Sequence, residues 1–239
     1  MKVWHLNHSG VAVETENHLL FFDIFGEALT PAENEGLEKG VINPAQMQDK
    51  DILFFVSHEH HDHFDPKIFG LDKMGKRVRY VLPEEFDEIF EDGIFVHANM
   101  QVQLEDCRIT TFDSTDIGVA YLVEIDGMRI YHAGDLNWWH WEGEPASWNR
   151  NMETGFRREI DSIAGERFDA AFVPLDPRLE AAYGLGMDYF LQKTSATHVF
   201  PMHMWEEYGY ISKYKETQTG RQHAAQIVDI SRRGEEFML

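Results

Sequence analysis

Four of the 13 histidines in this 239-residue chain fall within six positions, as His58, His60, His61 and His63. Even scatter would place fewer than one histidine in such a window. The cluster follows directly on residues 52–57 (ILFFVS), an apolar run that is typical of a buried strand. Imidazole is a favoured ligand of zinc, iron and related metals. The cluster therefore predicts a metal site at the end of a strand, and the fold must bring further ligands to that strand end.

Within the cluster, four residues form the pattern H-x-H-x-D-H: His58, His60, Asp62 and His63. In a tight turn after a strand, residues at alternate positions can converge on one point while the next pair faces a second point. Imidazole nitrogens and one carboxylate can then hold two cations a few ångströms apart. His61 breaks the pattern and is interpreted as exposed or as lying behind the ligands. The alternative, an exposed histidine-rich turn, is disfavoured by the spacing and by the apolar strand before it.

Runs of apolar, β-branched and aromatic residues predict strands at residues 18–25, 52–57, 79–82, 108–112, 119–125, 128–132, 170–175 and 198–202. Asp126 and Gly127 separate two of these runs and favour the positive φ angles of a type I′ hairpin turn. Helices are predicted from residue 83, around an apolar stripe with spacings of three and four, and over residues 187–193 and 222–232. The stripe consists of Trp148, Met152, Phe156, Ile160 and Ile163. The acidic stretch 26–48 is interpreted as a long surface loop, either solvated or acting as a lid.

Composition limits the partners and the compartment that we expect. The formal net charge is −21, with 42 acidic against 21 basic residues, so the chain repels polyanions. We therefore expect a small-molecule substrate, with neither a nucleic-acid nor a membrane partner, and leave the oligomeric state open. No apolar run approaches the roughly 18 residues of a membrane span, and the start lacks a signal-peptide core, so a cytoplasmic protein is expected. The single cysteine, Cys107, excludes an intrachain disulfide and is interpreted as a small buried residue.

The H-x-H-x-D-H turn resembles that of the metallo-β-lactamase superfamily of metal-dependent hydrolases. Three further segments resemble motifs of that family in the same order along the chain. They are residues 18–25 with Asp23, residues 129–135 (RIYHAGD) with Asp135, and residues 198–203 (HVFPMH) with His203. The YHAGD and PMH segments resemble the ascorbate-6-phosphate-lactonase-like branch of zinc-dependent hydrolases. The resemblance covers most of the chain and implies one domain over residues 1–239, with a tryptophan-rich inserted helix around residues 136–165. The implied fold is an α/β (αββα) sandwich, in which two central mixed β-sheets are flanked by helices.

The resemblance also implies roles for particular residues. Six of them would bind one or two divalent metal ions, with zinc expected first and manganese or iron as alternatives. His58 and His60 would bind the first ion, and Asp62, His63 and His203 would bind the second. Asp135 would bind both ions. Asp62 and Asp135 would be the catalytic carboxylates. Asp23 would accept the distal N–H of a ligand imidazole and so fix the orientation of its ring.

The chain departs from the family pattern at one ligand. The family supplies a third histidine to the first metal, shortly before the hairpin that precedes the Gly-Asp motif. Residues 111–118 (TFDSTDIG) contain no histidine. Ser114 occupies the position, and Asp113 or Asp116 could compensate with an oxygen ligand. A harder ligand set of this kind would shift the preference from zinc toward manganese or iron.

Two histidines near Asp135 and a run of tryptophans complete the candidate site. His132 and His140 are candidates for a substitute ligand or a proton donor, although hydrogen bonding behind the ligands or packing is the favoured interpretation. Four of the six tryptophans lie within residues 136–148, directly after Asp135, and they either wall a substrate pocket or anchor an inserted helix or a dimer interface. The pocket hypothesis takes four residues as its lining: Trp138, Trp139, His140 and Trp205.

These features together predict hydrolysis by a metal-activated water of an ester, lactone, amide or phosphodiester of a small molecule. No serine or cysteine nucleophile is indicated, since there is no G-x-S-x-G elbow and Cys107 lies outside the histidine cluster. The alternative is a non-catalytic metal-binding or sensing protein, in which the missing histidine reflects a degenerate first metal site. A redox protein is a further alternative and is disfavoured, because iron-containing members of the family that reduce oxygen carry a flavin domain, for which this chain has no room.

Overall fold

The computed structural model describes residues 1–47 and 49–239. Within these residues a seven-stranded sheet has the order β13-β1-β2-β3-β4-β5-β6. Its strands are β1 (Lys2–His5), β2 (Val11–Glu14), β3 (His18–Phe22), β4 (Asp51–Phe55), β5 (Arg77–Pro83), β6 (Ile94–Val96) and β13 (Glu235–Met238). A six-stranded sheet has the order β12-β11-β10-β9-β8-β7. Its strands are β7 (Gln101–Gln103), β8 (Cys107–Asp113), β9 (Val119–Ile125), β10 (Met128–His132), β11 (Arg167–Pro174) and β12 (Ser195–Met202).

Helical segments lie on the outer faces of the two sheets. The α-helices among the described residues are α1 (Ala146–Ser162), α2 (Leu185–Lys193), α3 (Gly209–Lys215) and α4 (Gln218–Gln222). Shorter 3₁₀ turns cover Gly26–Leu29, Leu37–Lys39, Pro44–Gln46, Pro66–Leu71, Glu84–Phe86 and Pro177–Ala182. Both sheets are mixed. In the larger sheet β3 to β6 run parallel, in the smaller sheet β10 to β12 run parallel, and the remaining neighbours run antiparallel.

The two central strands of the larger sheet are apolar at nearly every position because both faces of that sheet are covered. Phe22 and Phe55 are register partners, stack at 4.6 Å and face the core between the sheets. Phe21 and Phe54 are also partners, stack at 5.0 Å and face a second apolar cluster on the outside. Residues 26–47 contribute Ala28, Leu37, Ile42 and Met47 to that outer cluster. This stretch is therefore a cover for the sheet rather than a solvated loop, and Gln48 lies outside the described residues.

Several local predictions are confirmed. β9 and β10 match the predicted hairpin, with φ of 49° at Asp126 and 74° at Gly127. The stripe of spacings three and four lies on α1, where Phe156 and Ile160 are buried against the smaller sheet and α2. α2 matches the helix predicted over residues 187–193.

Two helix predictions are wrong. The helix expected over residues 222–232 does not form: α4 ends at Gln222, and Ile227 and Val228 lie alongside β12 instead. Val228 donates its backbone N–H to Val199 at 2.8 Å, and Ile227 forms a β-bridge to the same residue. A β-branched pair next to an open strand edge gains ladder hydrogen bonds that a short helix would forgo. The helix expected from residue 83 is only the 3₁₀ turn Glu84–Phe86.

None of the helices formed by the described residues combines the length and the apolar character required to cross a bilayer.

Candidate metal centre

Loops from both sheets meet at one edge of the sandwich. The carboxyl ends of β3, β4, β8, β10, β11 and β12 lie at this edge, together with the turn between β1 and β2. Such strand ends are where sites form in layered α/β folds. Two hydrogen bonds join the sheets here: the backbone N–H of Val119 donates to the carbonyl of Ser57 at 2.9 Å, and the hydroxyl of Tyr121 donates to the carbonyl of Val56 at 2.7 Å.

One group of side chains, here called the first cluster, consists of His58, His60, Asp116 and Asp135. One potential ligand atom from each lies within 4.8 Å of the others. His58 Nε2 is 3.0 Å from His60 Nδ1 and 3.8 Å from Asp135 Oδ2. Asp116 Oδ2 lies 3.6 Å from His60 Nδ1. Of the two aspartates considered from the sequence as replacements for the missing histidine, Asp113 and Asp116, it is therefore Asp116 that lies in the first cluster.

A second cluster consists of His8, Asp62, His63 and His203, with ligand atoms again within 4.8 Å of one another. Asp135 also faces this cluster, because its Oδ1 lies 3.1 Å from His63 Nε2 and 3.2 Å from His203 Nε2. Its two oxygens thus point to different clusters. This geometry is what the bridging role predicted for Asp135 requires.

Buried acceptors orient three of the imidazoles. Asp23 accepts from His63 Nδ1 at 2.8 Å, and Asp176 accepts from His203 Nδ1 at 2.9 Å. The hydroxyl of Ser57 donates to Asp23 at 2.7 Å, and its oxygen faces His58 Nδ1 at 2.9 Å. Each Nδ1 therefore carries a proton, and Nε2 is the ring nitrogen that is aimed into the centre.

The charges at the centre depend on one another. Burial by itself would lower the pKa of His63, but the carboxylates of Asp135 and Asp23 outweigh it and raise that pKa to about 10. Burial would raise the pKa of Asp135, but His63 and His203 hold it well below its usual value. Burial and the neighbouring His63 lower the pKa of His58 to about 4. Without a cation, protons on His63 and His203 neutralise the buried carboxylates.

The donor set fits a divalent cation. His63 Nε2, His203 Nε2 and Asp135 Oδ1 are all buried, face one another and lack a hydrogen-bond partner among the described residues. Buried polar atoms are rarely left unpaired, so three of them at one point indicate an occupant that accepts their lone pairs. Imidazole nitrogens with carboxylate oxygens suit zinc, and manganese or iron where oxygen dominates.

The backbone is strained where the ligands and their partners are held. Asp23 has φ of 50° and His203 has φ of 64°, which is unfavourable for residues other than glycine. Gly134, with φ of 52°, precedes Asp135, and a Cβ there would lie 2.6 Å from Cβ of Ser57. A side chain at this position would push Ser57 away from the imidazole that it orients.

Some residues proposed from the sequence lie elsewhere. Ser114 accepts the backbone N–H of Asp116 at 3.2 Å and contacts none of the imidazoles, and Asp113 pairs with Arg158 at 3.0 Å. His132 is buried between the sheets, where Nε2 faces the carbonyl of Ser9 at 3.0 Å and Nδ1 accepts from Gly134. Both of its nitrogens are therefore used by the backbone. His61 is exposed.

A cavity of about 300 Å³ opens onto both clusters, and we call it the tryptophan cavity. It is lined by His60, Asp62, Thr115, Asp116, Asp135, Trp139, Trp141, Trp148, Met152, Arg178 and His203. Trp139 is held by a hydrogen bond from its Nε1 to the carbonyl of Asp135 at 3.0 Å. The tryptophan segment thus contributes wall residues in addition to anchoring α1.

Of the four residues proposed from the sequence as pocket lining, Trp139 lines the tryptophan cavity and the other three lie elsewhere. Trp138 points to α1 and α2, where Arg157 lies 4.7 Å above its ring. His140 lines a separate surface depression beside Glu142. Trp205 stacks on His8 at 4.1 Å and borders a different crevice.

Sequence reasoning missed four residues of the centre: His8, Ser57, Asp176 and Arg178. Asp176 follows a buried strand as Asp23 and Asp135 do, and this position at a strand end was an available signal. His8 lies in a turn between two short strands, and nothing local in the sequence distinguishes it. Arg178 binds both oxygens of Asp176 through its Nε at 3.0 Å and 2.9 Å.

No protein-family model matches the chain. Among solved structures, it is similar to Igni18, a metallo hydrolase from Ignicoccus hospitalis, with a TM-score of 0.64 and 16% identity over 100% of this chain and 98% of that one. It is also similar to YhfI from Bacillus subtilis, a metallo-β-lactamase fold protein, with a TM-score of 0.57 and 13% identity over 99% of each chain. The chain has the metallo-β-lactamase fold. The predicted α/β sandwich of two mixed sheets is thereby confirmed.

Part of a larger protein of different activity is also similar in structure. The chain is similar to CmlA, a diiron β-hydroxylase from Streptomyces venezuelae, with a TM-score of 0.55 and 11% identity over 85% of this chain and 44% of that one. At such identities the likeness shows the fold, and the activity has to be argued from the residues. Membership of the ascorbate-6-phosphate-lactonase-like branch and the extent of the single domain stay predictions.

Proposed function

We propose that the chain is a metal-dependent hydrolase that binds one or two divalent ions at the two clusters. The observation that carries the proposal is the convergence of three buried atoms that lack a hydrogen-bond partner among the described residues: Asp135 Oδ1 lies 3.1 Å from His63 Nε2 and 3.2 Å from His203 Nε2. The similarity to a metallo hydrolase across the whole of both chains supports it. The bond that we propose to be cleaved is that of an ester, lactone, amide or phosphodiester in a small molecule.

Hydrolysis joins the oxygen of water to the acyl carbon or the phosphorus and breaks the bond from that atom to the leaving oxygen or nitrogen. A bound divalent ion would lower the pKa of a water molecule to about 7 and would polarise the acyl or phosphoryl oxygen. One proton of the water has to be taken up and one has to reach the leaving atom. Asp62 is suited to take up the first, because it lines the tryptophan cavity and its side chain is 15% exposed.

The chemistry of the ligands supports a proposal for the identity of the metal. The second cluster offers imidazoles together with Asp62 and Asp135, a set that zinc accepts readily. The first cluster replaces one imidazole by the carboxylate of Asp116, which makes manganese or iron acceptable there. We propose zinc as the ion of the second cluster, with manganese or iron as the alternative at the first.

The tryptophan cavity indicates the class of substrate. Trp139 and Trp141 stack with their planes 5° apart and form a flat apolar wall. Arg178 is half exposed and lines the same cavity, and its Nη1 makes no hydrogen bond to the described residues. A flat or apolar group on the tryptophans and an anionic group on Arg178 would both be accommodated. We propose a small anionic substrate, which a chain of net charge −21 can attract only locally.

The degenerate-site alternative is not favoured by this geometry. It rested on the missing third histidine, and Asp116 brings a carboxylate oxygen into the first cluster at 3.6 Å from His60 Nδ1. An oxygen ligand changes the preferred metal without removing the site.

The test is a metal analysis combined with a hydrolysis panel. Anomalous scattering at the zinc, iron and manganese edges should show an ion at the second cluster, and release of product from carboxylic esters, lactones or phosphodiesters should depend on it. His61→Ala, which alters an exposed histidine outside both clusters, is the matched control and should behave as the wild type. A protein that holds metal but cleaves nothing on the panel would contradict the proposal, as would a protein that takes up no metal.

A further inference from the structure

His8 differs from the other imidazoles of the second cluster in the nitrogen that is engaged by the protein. In His63 and His203 the distant Nδ1 donates to a buried carboxylate, so the Nε2 that faces the centre is the nitrogen that binds a cation once its own proton is displaced. In His8, Nδ1 accepts the backbone N–H of Trp205 at 3.2 Å. A nitrogen that accepts a hydrogen bond carries no proton, and the neutral imidazole then has its proton on Nε2. His8 therefore presents an N–H to the centre.

The ring of His8 is fixed in this orientation. It stacks on Trp205 at 4.1 Å with planes 29° apart, and its centroid lies 4.0 Å from that of the His203 ring. Turning the ring over would take Nδ1 away from the Trp205 N–H and leave that donor without its acceptor. The backbone of Trp205 is itself held at a φ of 50°, so it cannot adjust freely.

The N–H that faces the centre has no partner among the described residues. His8 Nε2 is buried and unpaired, and the nearest carboxylate oxygen, Asp62 Oδ2, lies at 3.6 Å, beyond hydrogen-bonding range. A buried donor is rarely left unpaired unless a ligand completes it. A metal ion cannot do so, because it requires the lone pair that the proton occupies. An oxygen acceptor can.

We propose that His8 is a substrate-binding residue whose Nε2–H donates a hydrogen bond to an anionic oxygen of the acyl or phosphoryl group. This inference rests on the proposed hydrolase function. Asp62 and His203 border the position that such an oxygen would occupy, next to the second cluster. A donor fixed in advance and aimed at developing negative charge stabilises the transition state more than the neutral substrate. The centre would then hold two types of imidazole, one that binds metal and one that binds oxyanion.

The tautomer can be read directly from the metal-free and zinc-loaded protein. Long-range ¹H–¹⁵N correlation spectra of histidine-labelled protein distinguish protonated, unprotonated and metal-bound ring nitrogens, and His8→Gln assigns the signals. We expect Nε2 of His8 to be protonated in both states, whereas Nε2 of His203 changes from the protonated to the metal-bound type when zinc is added. A metal-bound signal from Nε2 of His8 would overturn the inference.

Inorganic phosphate serves as the oxyanion probe in calorimetry on zinc-loaded protein. His8→Phe keeps the volume and stacking of the ring without a donor, and it should retain zinc while binding phosphate about tenfold more weakly. His8→Gln restores an N–H near the Nε2 position and should recover most of that loss. The inference is overturned if His8→Phe loses zinc as His203→Ala does, if it binds phosphate as tightly as the wild type, or if zinc-loaded wild type binds none.

Failure of the proposed hydrolase function gives a different result from failure of this inference. A wild-type protein that takes up no metal, or that holds metal and cleaves no substrate on the panel, contradicts the function. The role of His8 is read instead from its nitrogen signals and from the difference in phosphate affinity between His8→Phe and His8→Gln.

Discussion

Asp116 Oδ2 lies 3.6 Å from Nδ1 of His60, so a carboxylate from the loop between β8 and β9 joins the two histidines of the first cluster. Burial, and then the nearby Asp135, raise the pKa of Asp116 above its ordinary value. A cation would remove this penalty, because it favours the charged carboxylate. We therefore expect the charge state of Asp116 in the first cluster to depend on whether a metal ion is bound there.

Removing the carboxylate of Asp116 should empty the first cluster and leave the second intact. Asp116→Ala is expected to lower metal content from about two ions to about one, with at least about a tenfold loss of affinity at the first cluster. Asp116→His should restore binding and shift the preference toward zinc. Asp113→Ala is the matched control, since Asp113 pairs with Arg158 outside the cluster. Unchanged metal content in Asp116→Ala would show that this carboxylate is not a ligand.

Metal binding at the second cluster should require His63 and His203 but not His61. His63→Ala or His203→Ala removes an imidazole whose Nε2 faces Asp135, and we expect loss of the second ion and of most hydrolytic activity. His61→Ala changes an exposed side chain and should leave both nearly as in the wild type. Metal analysis and turnover on the best substrate provide the comparison, and equal losses in all three variants would refute the ligand assignment.

Gly134 should be intolerant of a side chain because Ser57 lies against it. Gly134→Ala combines a strained φ of 52° with a Cβ 2.6 Å from Cβ of Ser57, and we expect a loss of about 2 to 4 kcal/mol in the free energy of unfolding. Gly127→Ala has a comparable φ of 74° with no atom within 4 Å, and should lose only about 1 kcal/mol. Denaturant unfolding of the metal-free proteins measures both. Equal losses would mean that the contact with Ser57 has no energetic cost.

Zinc affinity should rise with pH. Burial opposes protonation of His63, but Asp135 and Asp23 raise its pKa to about 10, so the metal-free protein at neutral pH carries a proton on the nitrogen that zinc requires. Each proton displaced adds about tenfold to the apparent affinity per pH unit below that pKa. Calorimetry in buffers of different ionisation enthalpy counts the protons released. An affinity that is flat between pH 6 and pH 9 would contradict the charge state proposed for the metal-free site.

His5 should weaken the fold in acid. Burial, opposed by Glu235, lowers the pKa of His5 to about 4, and neither ring nitrogen has a hydrogen-bond partner among the described residues. His5 is therefore protonated below about pH 6.5 in the unfolded chain but only below about pH 4 in the folded chain. The stability is present above the unfolded pKa and is lost as the pH falls, by about 3 kcal/mol at pH 4.

His5→Phe isolates this contribution, because it keeps the ring and removes the titration. Between pH 7 and pH 4, the free energy of unfolding of the variant should fall by about 3 kcal/mol less than that of the wild type. Parallel stability curves for the two proteins would show that His5 is protonated in the folded state as readily as in the unfolded one.

The sequence by itself determined the parts of the centre that lie within a few residues of one another. The H-x-H-x-D-H turn, the aspartate after β10 and the histidine after β12 were all found as polar residues that end apolar runs. A strand end fixes where such a residue lies, because buried strands must align their ends at an edge of the sheet. The likeness of the folds confirms the sandwich, while the ligand assignments stay predictions until metal is measured.

Only the tertiary structure decided which side chains join that turn from elsewhere. Ser114, Asp113 and Asp116 are neighbours in one loop, and the conformation of that loop against β4 brings only Asp116 to the first cluster. The same holds for His8, whose role depends on a hydrogen bond from Trp205, 197 residues away. Local sequence constrains local geometry, whereas loop conformation and the choice of imidazole nitrogen follow from packing between two sheets, which no spacing along the chain records.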